Sequence, residues 1–376
     1  MKPPFRADHV GSLLRPPALA ATRARFRAGE ADPATLRAAE DEATRDAVRR
    51  QAAAGLRSIT DGEFRRDWWH LDFLGQLDGV ALQANAGPKF QAGQTGQTTS
   101  TAEQPPIPTV TGRVGCSRPV MAADFAFLKA LTDQTPGLVP KMTIPSPSML
   151  HLRGGRAVVS RDAYPELDAF WDDVAAAYRR AIAHLADAGC RYLQLDDVAF
   201  AYLCDPKVQA QCRANGDDPA ALPARYAKTI NAALRDRPAD MVVTIHTCRG
   251  NFKSAWVAEG GYDPVVEAMF STDVDAWFME FDSERAGGFG PLRALPAGRK
   301  VVLGLVTTKV GELESADALK RRIDEAARVV PIGQLCLSPQ CGFSSTHHGN
   351  ALSADDQWRK LERVVQVAES VWGSGG

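Results

Sequence analysis

Two side chains that could bind a metal stand at the end of one apolar segment of this sequence. The segment is VVTIHTCRGNF, in which His246 and Cys248 are separated by a single residue. Because side chains on a strand alternate between its two faces, both would point to the same side. The pair alone is also typical of a buried cysteine beside an unrelated histidine. The metal interpretation therefore depends on ligands from elsewhere in the chain.

Two such ligands follow apolar segments later in the sequence. Glu280 lies in DAWFMEFDSERAG and Cys341 lies in QLCLSPQCGFSS. Zinc accepts thiolate, imidazole and carboxylate ligands. Two thiolates and a carboxylate offset its charge, which favours a nucleophilic bound thiolate over strongly acidified water. We therefore predict a Zn2+ site formed by His246, Cys248, Glu280 and Cys341, with thiol activation as its chemistry.

These residues can meet only if their strands are neighbours in one sheet. Short apolar, β-branched runs alternate with helical patterns along the chain, which is typical of a parallel α/β fold. The count of strands is about eight, which favours a (β/α)8 TIM barrel, and active sites of that fold lie at the carboxyl ends of the strands. Strands are expected around residues 5–14 and 56–64, then at 138–144, 192–196, 241–246, 276–281, 300–305 and 334–338.

Helices and one insertion complete the expected architecture. Residues 83–108 are rich in Gly, Gln, Thr and Pro without a regular period, so an inserted loop or excursion is expected around residues 83–115. It does not mark a boundary, and residues 1–376 are expected to form a single domain. Helices are expected at 33–54, 165–188, 206–234, 264–270, 315–329 and 354–372.

Composition narrows the class of partner. The 44 Lys and Arg residues balance 45 Asp and Glu residues, so there is no basic field for nucleic acid or a membrane surface. No apolar run reaches the ~20 residues that a membrane span requires, and the amino terminus lacks an apolar signal core. The seven cysteines form an odd, scattered set that suits reduced thiols. We expect a cytoplasmic protein with small-molecule partners; its oligomeric state stays open.

The motifs carry a resemblance to a known family. HTCRGNF, the Glu280 segment and SPQCG resemble the zinc-site motifs of the catalytic domain of cobalamin-independent methionine synthase. DHVGSLLRP, DGEFRRD and LQLDD resemble other segments of that domain, in the same chain order. The resemblance implies a (β/α)8 barrel, a zinc ion and methyl transfer to the thiol of homocysteine from a 5-methyltetrahydrofolate-type donor.

The resemblance also implies substrate-binding residues. Ser12 would lie near the carboxylate of the amino acid, and Glu63 and Asp196 would hold its ammonium group. His9 is adjacent to the same segment and is expected to hydrogen-bond there. Two carboxylates near an ammonium form charge-assisted hydrogen bonds, so the role is physically reasonable. An ion pair of Glu63 with Arg65 or Arg66 is the alternative. Asp196 and Asp197 are adjacent on a strand, so only one of them should line the mouth.

The sequence departs from the family pattern at the loop LGLVTTKVGELE. The Asp and the catalytic His of the family are replaced there by Thr307 and Lys309. Lys309 is therefore the candidate catalytic residue, as a cation or general acid, with a solvated surface lysine as the alternative. The large amino-terminal barrel of methionine synthase also has no counterpart in these residues, which leaves the donor open.

Three other functions remain as alternatives. Epoxide opening by a sulfonated thiol, as in transfer to coenzyme M, would need a cationic pocket from Arg65, Arg66 or Arg249. Methylation from methylcobalamin is the second. A zinc- or thiol-binding module would not be an enzyme, but structural zinc sites usually take closely spaced ligand pairs. Among the aromatic residues, Trp68, Trp69 and Trp277 could stack on a flat donor or simply pack.

Overall fold

The computed structural model describes residues 2–84, 92–94, 97–99 and 105–373. The predicted α/β class is confirmed, and short strands alternate with helices over most of this length. The strands are β1 Ser58–Ile59, β2 Asp78–Gln83, β3 Ala92–Gln94, β4 Gln97–Thr99, β5 Ile107–Gly115, β6 Val139–Pro140, β7 Met142–Pro145, β8 Tyr192–Asp197, β9 Val242–Thr247, β10 Ala276–Glu280, β11 Lys300–Val306 and β12 Leu335–Pro339.

The helices pack outside the strands and present their buried faces to them. Helix α2 starts as its sequence predicts, because Asp32 accepts a hydrogen bond from the Thr35 N–H at 2.7 Å and Pro33 takes the first position. The α-helices are α1 Pro17–Arg27, α2 Pro33–Ala53, α3 Leu71–Leu74, α4 Ala122–Thr132, α5 Leu167–Asp187, α6 Ala199–Tyr202, α7 Pro206–Ala214, α8 Leu222–Leu234, α9 Val266–Phe270, α10 Ala316–Ala327 and α11 Ala354–Trp372.

Six parallel strands form the central sheet in the order β12-β11-β10-β9-β8-β7. A further parallel pair, β1 with β6, continues from β7, which follows β6 after one residue. At the other edge Ala7 forms a parallel bridge with Leu337 of β12. Eight extended segments, here called staves, thus follow one another in the order of a (β/α)8 barrel. They are the segment around Ala7, β1, β6 with β7, and β8 to β12. None of the helices in the described residues is long and apolar enough to cross a bilayer.

The excursion differs from the predicted loop. Strands β2 and β5 pair antiparallel and lie outside the central sheet, and β3 pairs with β4 as a second antiparallel pair. Residues 85–91, 95–96 and 100–104 of the excursion lie outside the described residues. The prediction of an insertion is confirmed, but the prediction that it lacks strands is wrong, since the Gly, Gln, Thr and Pro residues between the strands hide their period.

Two other predicted elements change in the structure. The predicted helix over residues 206–234 is divided into α7 and α8 by the Gly216-containing segment 215–221, where Gly216 has a φ of 88°. The predicted strand over residues 56–64 shrinks to β1, because Gly62 and Glu63 have positive φ values of 68° and 59°. Helices α1, α3, α4 and α6 were not predicted.

A buried polar network ties the first stave to the rest of the barrel. The Asp8 carboxylate accepts hydrogen bonds from Tyr192 Oη and Ser58 Oγ, both at 2.7 Å, and pairs with Lys141 Nζ at 3.2 Å. Lys141 also donates to the His9 carbonyl at 2.6 Å. All these groups are buried. The network therefore forms a seam that joins the first segment to β1, to Lys141 between β6 and β7, and to β8.

Removing one member of this network should destabilise the fold. Lys141→Met would leave the Asp8 carboxylate buried without its cation, and breaking a buried pair in this way costs about 3–5 kcal/mol. Urea denaturation followed by circular dichroism measures the loss. Arg49→Met is the matched control, because Arg49 pairs with Asp46 on the exposed face of α2 and should change stability little. An equal loss in both variants would show that the network does not stabilise the fold.

Candidate metal centre and substrate pocket

Three of the four predicted metal ligands come together at the carboxyl ends of the strands. His246 is on β9, Cys248 follows that strand directly, and Cys341 lies two residues after β12. Their ligand atoms all lie within 4.8 Å of one another, and the two sulfur atoms are 3.6 Å apart. All three side chains are buried. Strands distant in sequence therefore deliver one imidazole and two thiols to a single point.

The donor set fits a zinc ion. Two sulfurs bound to one tetrahedral zinc lie about 3.8 Å apart, close to the observed separation. Both ring nitrogens of His246 are buried and have no hydrogen-bond partner among the described residues. An unpaired buried polar atom is costly, and a metal that binds it removes the cost. His246, Cys248 and Cys341 could thus hold zinc and leave a further position for Glu280 or a substrate.

Glu280 ends β10 beside this group but does not join it. One of its carboxylate oxygens accepts the backbone N–H of Arg249 at 2.6 Å, and the other pairs with the guanidinium of Arg285. Arg285 also pairs with Asp282 at 2.7 Å. These cations hold the pKa of Glu280 below its usual range despite complete burial, which has the opposite effect. The carboxylate is therefore ionised, and coordination by Glu280 stays a prediction.

In the structure, Lys309 is not a surface lysine. Its side chain is buried, and Nζ donates a hydrogen bond to the Gly250 carbonyl at 2.8 Å. The solvated alternative is therefore wrong. A second contact joins the same two loops, since Asn251 Nδ2 donates a hydrogen bond to Thr308 Oγ1 at 3.0 Å. The loop after β11 thus holds the loop that carries Cys248, and this contact does not place Lys309 on the pocket wall.

A pocket of about 830 Å³, part of it open to solvent, lies over the cysteine cluster. Its wall includes the predicted residues Ser12, Glu63 and Asp196 together with His246, Cys248 and Cys341. The carboxyl ends of β8, β9 and β12 converge here, and so do the segments around Ser12 and Glu63. The substrate residues and the metal ligands therefore share one cavity.

The two carboxylate oxygens of Glu63 have different surroundings. Oε1 accepts from Thr143 Oγ1 at 2.7 Å and faces Arg66 at 3.4 Å, whereas the buried Oε2 has no hydrogen-bond partner among the described residues. Burial raises the pKa of Glu63, and Arg66 opposes that effect. The alternative ion pair is thus real for Arg66, while Arg65 pairs with Asp41 and Asp124. Since Oε2 stays unpaired, the two interpretations of Glu63 are compatible.

Asp196 and Asp197 both contact the pocket, which corrects the expectation that only one would. They differ in how their carboxylates are used. Asp197 accepts hydrogen bonds from Ser148 Oγ at 2.7 Å and the Phe200 N–H at 3.0 Å. Asp196 accepts from Gln194 Nε2 at 2.7 Å, and burial raises its pKa to about 7. Asp197 therefore anchors the turn into α6, and Asp196 is the more available group.

The structure places Ser12 on the pocket wall but leaves His9 out of it. Ser12 lies on the pocket wall against Gly342, where a Cβ atom would stand 1.9 Å from Ser12 Oγ, so only glycine allows this approach. His9 lies inside the barrel, with Nε2 3.1 Å from the Ser58 carbonyl, and is absent from the lining of the pocket. Burial lowers the pKa of His9 to about 4. Neutral His9 is thus placed as part of the seam.

The aromatic residues divide between the pocket and the core. Trp68 lies parallel to Phe252 with ring centroids 6.1 Å apart, and both line the pocket with Trp69. Trp277 is fully buried and packs on Phe270, so its packing role holds. His347 and His348 surround the edge of Trp68 and lie outside the cysteine group.

Sequence reasoning missed several polar residues on the pocket wall, among them His70, Arg153 and Tyr202. None of them stands at a strand end, and spacing alone gives no reason to place them together. The nearest signal is the DGEFRRDWWH segment, in which His70 follows the Glu63 motif. Conversely, Arg65, Arg66 and Arg249, which could have formed a sulfonate pocket, are absent from its lining; Arg249 donates to the Gly260 carbonyl.

The two thiols of the cluster differ in acidity. The sulfur atoms of Cys248 and Cys341 are hydrogen-bonded to each other, and this contact holds the pKa of Cys341 well below its usual range. The same bond raises the pKa of Cys248 well above the ordinary value. Without metal, the pair therefore holds one thiolate and one thiol.

Comparisons with known proteins define the class and then the family. The fold and site are those of a barrel enzyme, and residues 5–370 match the model described as "Cobalamin-independent synthase, Catalytic domain". The chain therefore belongs to the cobalamin-independent synthase family. It is 37% identical to a Listeria monocytogenes structure described as a putative vitamin-B12-independent methionine synthase, with a TM-score of 0.78 and full coverage of both chains.

Relatives by sequence fall into two groups. The uncharacterized protein YxjG of Bacillus subtilis is 46% identical over 99% of this chain and 96% of its own length. A 5-methyltetrahydropteroyltriglutamate–homocysteine methyltransferase of Shewanella oneidensis is 26% identical over 89% of this chain. The match spans only 40% of that longer relative. A Shewanella structure of a B12-independent methionine synthase with selenomethionine, at 20% identity and a TM-score of 0.70, supports the fold alone.

The unequal thiols predict a selective alkylation of the metal-free protein. Because the pKa of Cys341 is lowered, it should react with iodoacetamide at neutral pH faster than Cys190, whose pKa burial raises to about 12. Cys248→Ala removes the hydrogen-bond partner, so the pKa of Cys341 should rise and its reaction at neutral pH should slow. Peptide mass spectrometry measures the adducts. Reaction of Cys341 only above about pH 8 would contradict this assignment.

Proposed function

We propose that this protein is a zinc-dependent S-methyltransferase that transfers a methyl group to the thiol of homocysteine. The observation that carries the proposal is the meeting of His246, Cys248 and Cys341 in one pocket with Glu63 and Asp196. The family and the names of the longer relatives support the same reaction. The catalytic domain is proposed to occupy the whole of residues 1–376.

Different residues of this chain would bind the thiol end and the amino-acid end of homocysteine. His246, Cys248 and Cys341 would hold the zinc ion, with Glu280 as the proposed fourth ligand in the absence of substrate. Zinc supplies a thiolate-stabilising Lewis acid that makes a thiol nucleophilic at neutral pH. Glu63 and Asp196 would bind the ammonium group, and Ser12 would contact the carboxylate. Binding at both ends fixes the sulfur near the metal ligands.

The methyl donor is proposed from the relatives and from the proton that its departure requires. A 5-methyltetrahydrofolate-type donor follows from the names of relatives that are more than twice as long as the matched region. Its departing nitrogen needs a proton. Lys309 would be the source if it moved, but its Nζ contact with Gly250 supports a second role, in which it holds the loop of Cys248. Methylcobalamin remains the alternative donor.

The epoxide alternative is less well supported by the pocket. A sulfonated thiol needs cations near the metal, whereas Arg66 pairs with Glu63 and Arg65 pairs with Asp41. Carboxylates dominate the wall next to the cysteines instead. An amino-acid thiol with an ammonium group fits this charge better than a sulfonate, for which Arg153 is the only arginine or lysine among the described residues that line the pocket.

A product assay tests the function directly. Zinc-loaded protein is incubated with homocysteine or coenzyme M, each combined with methyltetrahydrofolate, methylcobalamin or epoxypropane, and thioethers are identified by mass spectrometry. We expect methionine from homocysteine with a methyl donor, and no product from coenzyme M. A coenzyme M thioether as the main product would replace this proposal with the epoxide reaction. Cys212→Ser, remote from the site on α7, is the control for variants of the ligands.

Acceptor selection should depend on the two carboxylates. Glu63→Gln and Asp196→Asn each remove a charge-assisted contact with the ammonium group, worth roughly 1.5–3 kcal/mol or about 10- to 150-fold in affinity. Calorimetry should show this loss for homocysteine but only a small change for 3-mercaptopropionate, which has no ammonium group. Wild-type affinity for both thiols in both variants would exclude the acceptor model.

A further inference from the structure

One part of the pocket wall has no role in the acceptor site. It consists of His70, Arg153 and Tyr202, here named the basic patch. His70 precedes α3, Arg153 lies in the loop between β7 and α5, and Tyr202 ends α6. The patch therefore comes from three loops above the barrel, and none of its members belongs to the cysteine cluster.

The His70 imidazole is buried, where a polar group is stabilised by hydrogen bonds. The side chain is buried, and neither ring nitrogen has a hydrogen-bond partner among the described residues. Trp69 packs on the imidazole with ring centroids 4.6 Å apart, which fixes its orientation. Burial and the nearby Arg153 charge lower the pKa of His70 well below its usual value, so the ring is neutral and offers one N–H. A ligand that accepts this hydrogen bond would remove the cost of burial.

Arg153 supplies the positive charge. Among the described residues that line the pocket, it is the only lysine or arginine. Its burial lowers the pKa of the guanidinium, but arginine stays charged at neutral pH. The planar guanidinium is suited to a carboxylate, to which it can donate two parallel hydrogen bonds. A buried cation beside an unpaired imidazole forms a site for an anion.

The basic patch is electrostatically separate from the ammonium site. Asp196 is influenced by Glu63, and both carboxylates are influenced by Arg66, whereas Arg153 interacts with Tyr202 and with His70. Tyr202, a member of the patch, is also influenced by the charges of Cys248 and Cys341, so the patch lies within electrostatic reach of the metal ligands. The patch therefore lies near the cysteines but outside the charge network of Glu63 and Asp196. A second substrate fits that position.

We propose that His70 and Arg153 bind a carboxylate of the methyl donor. This inference rests on the proposed methyl transfer and names the chemical class of its second substrate. Trp68, Trp69 and Phe252 line the same cavity and suit the flat or cationic part that carries the methyl group. Two donors share this chemistry: a reduced pteridine with a glutamyl carboxylate, and a small sulfonium carboxylate.

The transfer balances for both donors. The acceptor sulfur, which has lost its proton, forms a bond to the methyl carbon, and the bond from that carbon to nitrogen or sulfur breaks. The electron pair stays on the departing atom. A pteridine nitrogen then takes up one proton, which balances the proton lost by the thiol. A sulfonium leaves as a neutral sulfide, so the thiol proton is released to solvent.

Binding without acceptor tests the proposal independently of turnover. The zinc-loaded protein is titrated with 5-methyltetrahydrofolate and its glutamyl diamide, and with dimethylsulfoniopropionate and its amide. At least one acid should bind tighter than its amide. Arg153→Gln and His70→Asn should each weaken that acid by about 10- to 100-fold and its amide by less than about 3-fold. Arg161→Gln, an exposed arginine of the same loop, should match wild type.

Three results would overturn the proposal: equal binding of acid and amide by wild type, equal weakening of both by Arg153→Gln, or no binding of either acid. Circular dichroism confirms that each variant is folded, and His70→Asn provides the second reading if Arg153→Gln is not. Homocysteine affinity should stay unchanged in both variants. Selective acid binding without formation of methionine would refute the proposed function and leave the anion site in place.

Discussion

The site depends on the parallel pairing of β8, β9 and β10 in register. This pairing sets Asp196 beside His246, and Phe278 beside His246 from the other side. Because parallel strands end at the same edge of a sheet, functional side chains from distant parts of the chain reach one level. A register shift by one residue would turn His246 and Cys248 away from the pocket together. Register therefore determines whether the metal ligands exist as a group.

Charge balance is the second constraint on this site. Glu63, Asp196 and Glu280 are buried close to two thiols, and such a concentration of acidic groups is unstable without cations. Arg66 and Arg285 supply positive charge through direct contacts with Glu63 and Glu280. Glu63 Oε2 and the ring nitrogens of His246 are among the buried atoms that have no hydrogen-bond partner within the described residues, and both side chains line the pocket.

The sequence predicted the barrel and the cysteine cluster because strand period and strand ends are local properties. His246 and Cys248 illustrate this, since two residues on one strand must share a face. Contacts between loops could not be predicted in the same way. The burial of Lys309 against Gly250, the pairing of Glu280 with Arg285 and the position of Arg153 all depend on three-dimensional loop paths. The strands of the excursion were missed because Gly, Gln, Thr and Pro residues interrupt their apolar positions.

The central claim is that His246, Cys248 and Cys341 hold one metal ion, and metal analysis of purified protein tests it most directly. Wild type and the remote variant Cys212→Ser should contain about one zinc per chain, whereas Cys248→Ser and Cys341→Ser should lose most of it while remaining folded. Glu280→Gln then shows whether that carboxylate adds to the affinity. Full retention of zinc in both ligand-cysteine variants would contradict the account.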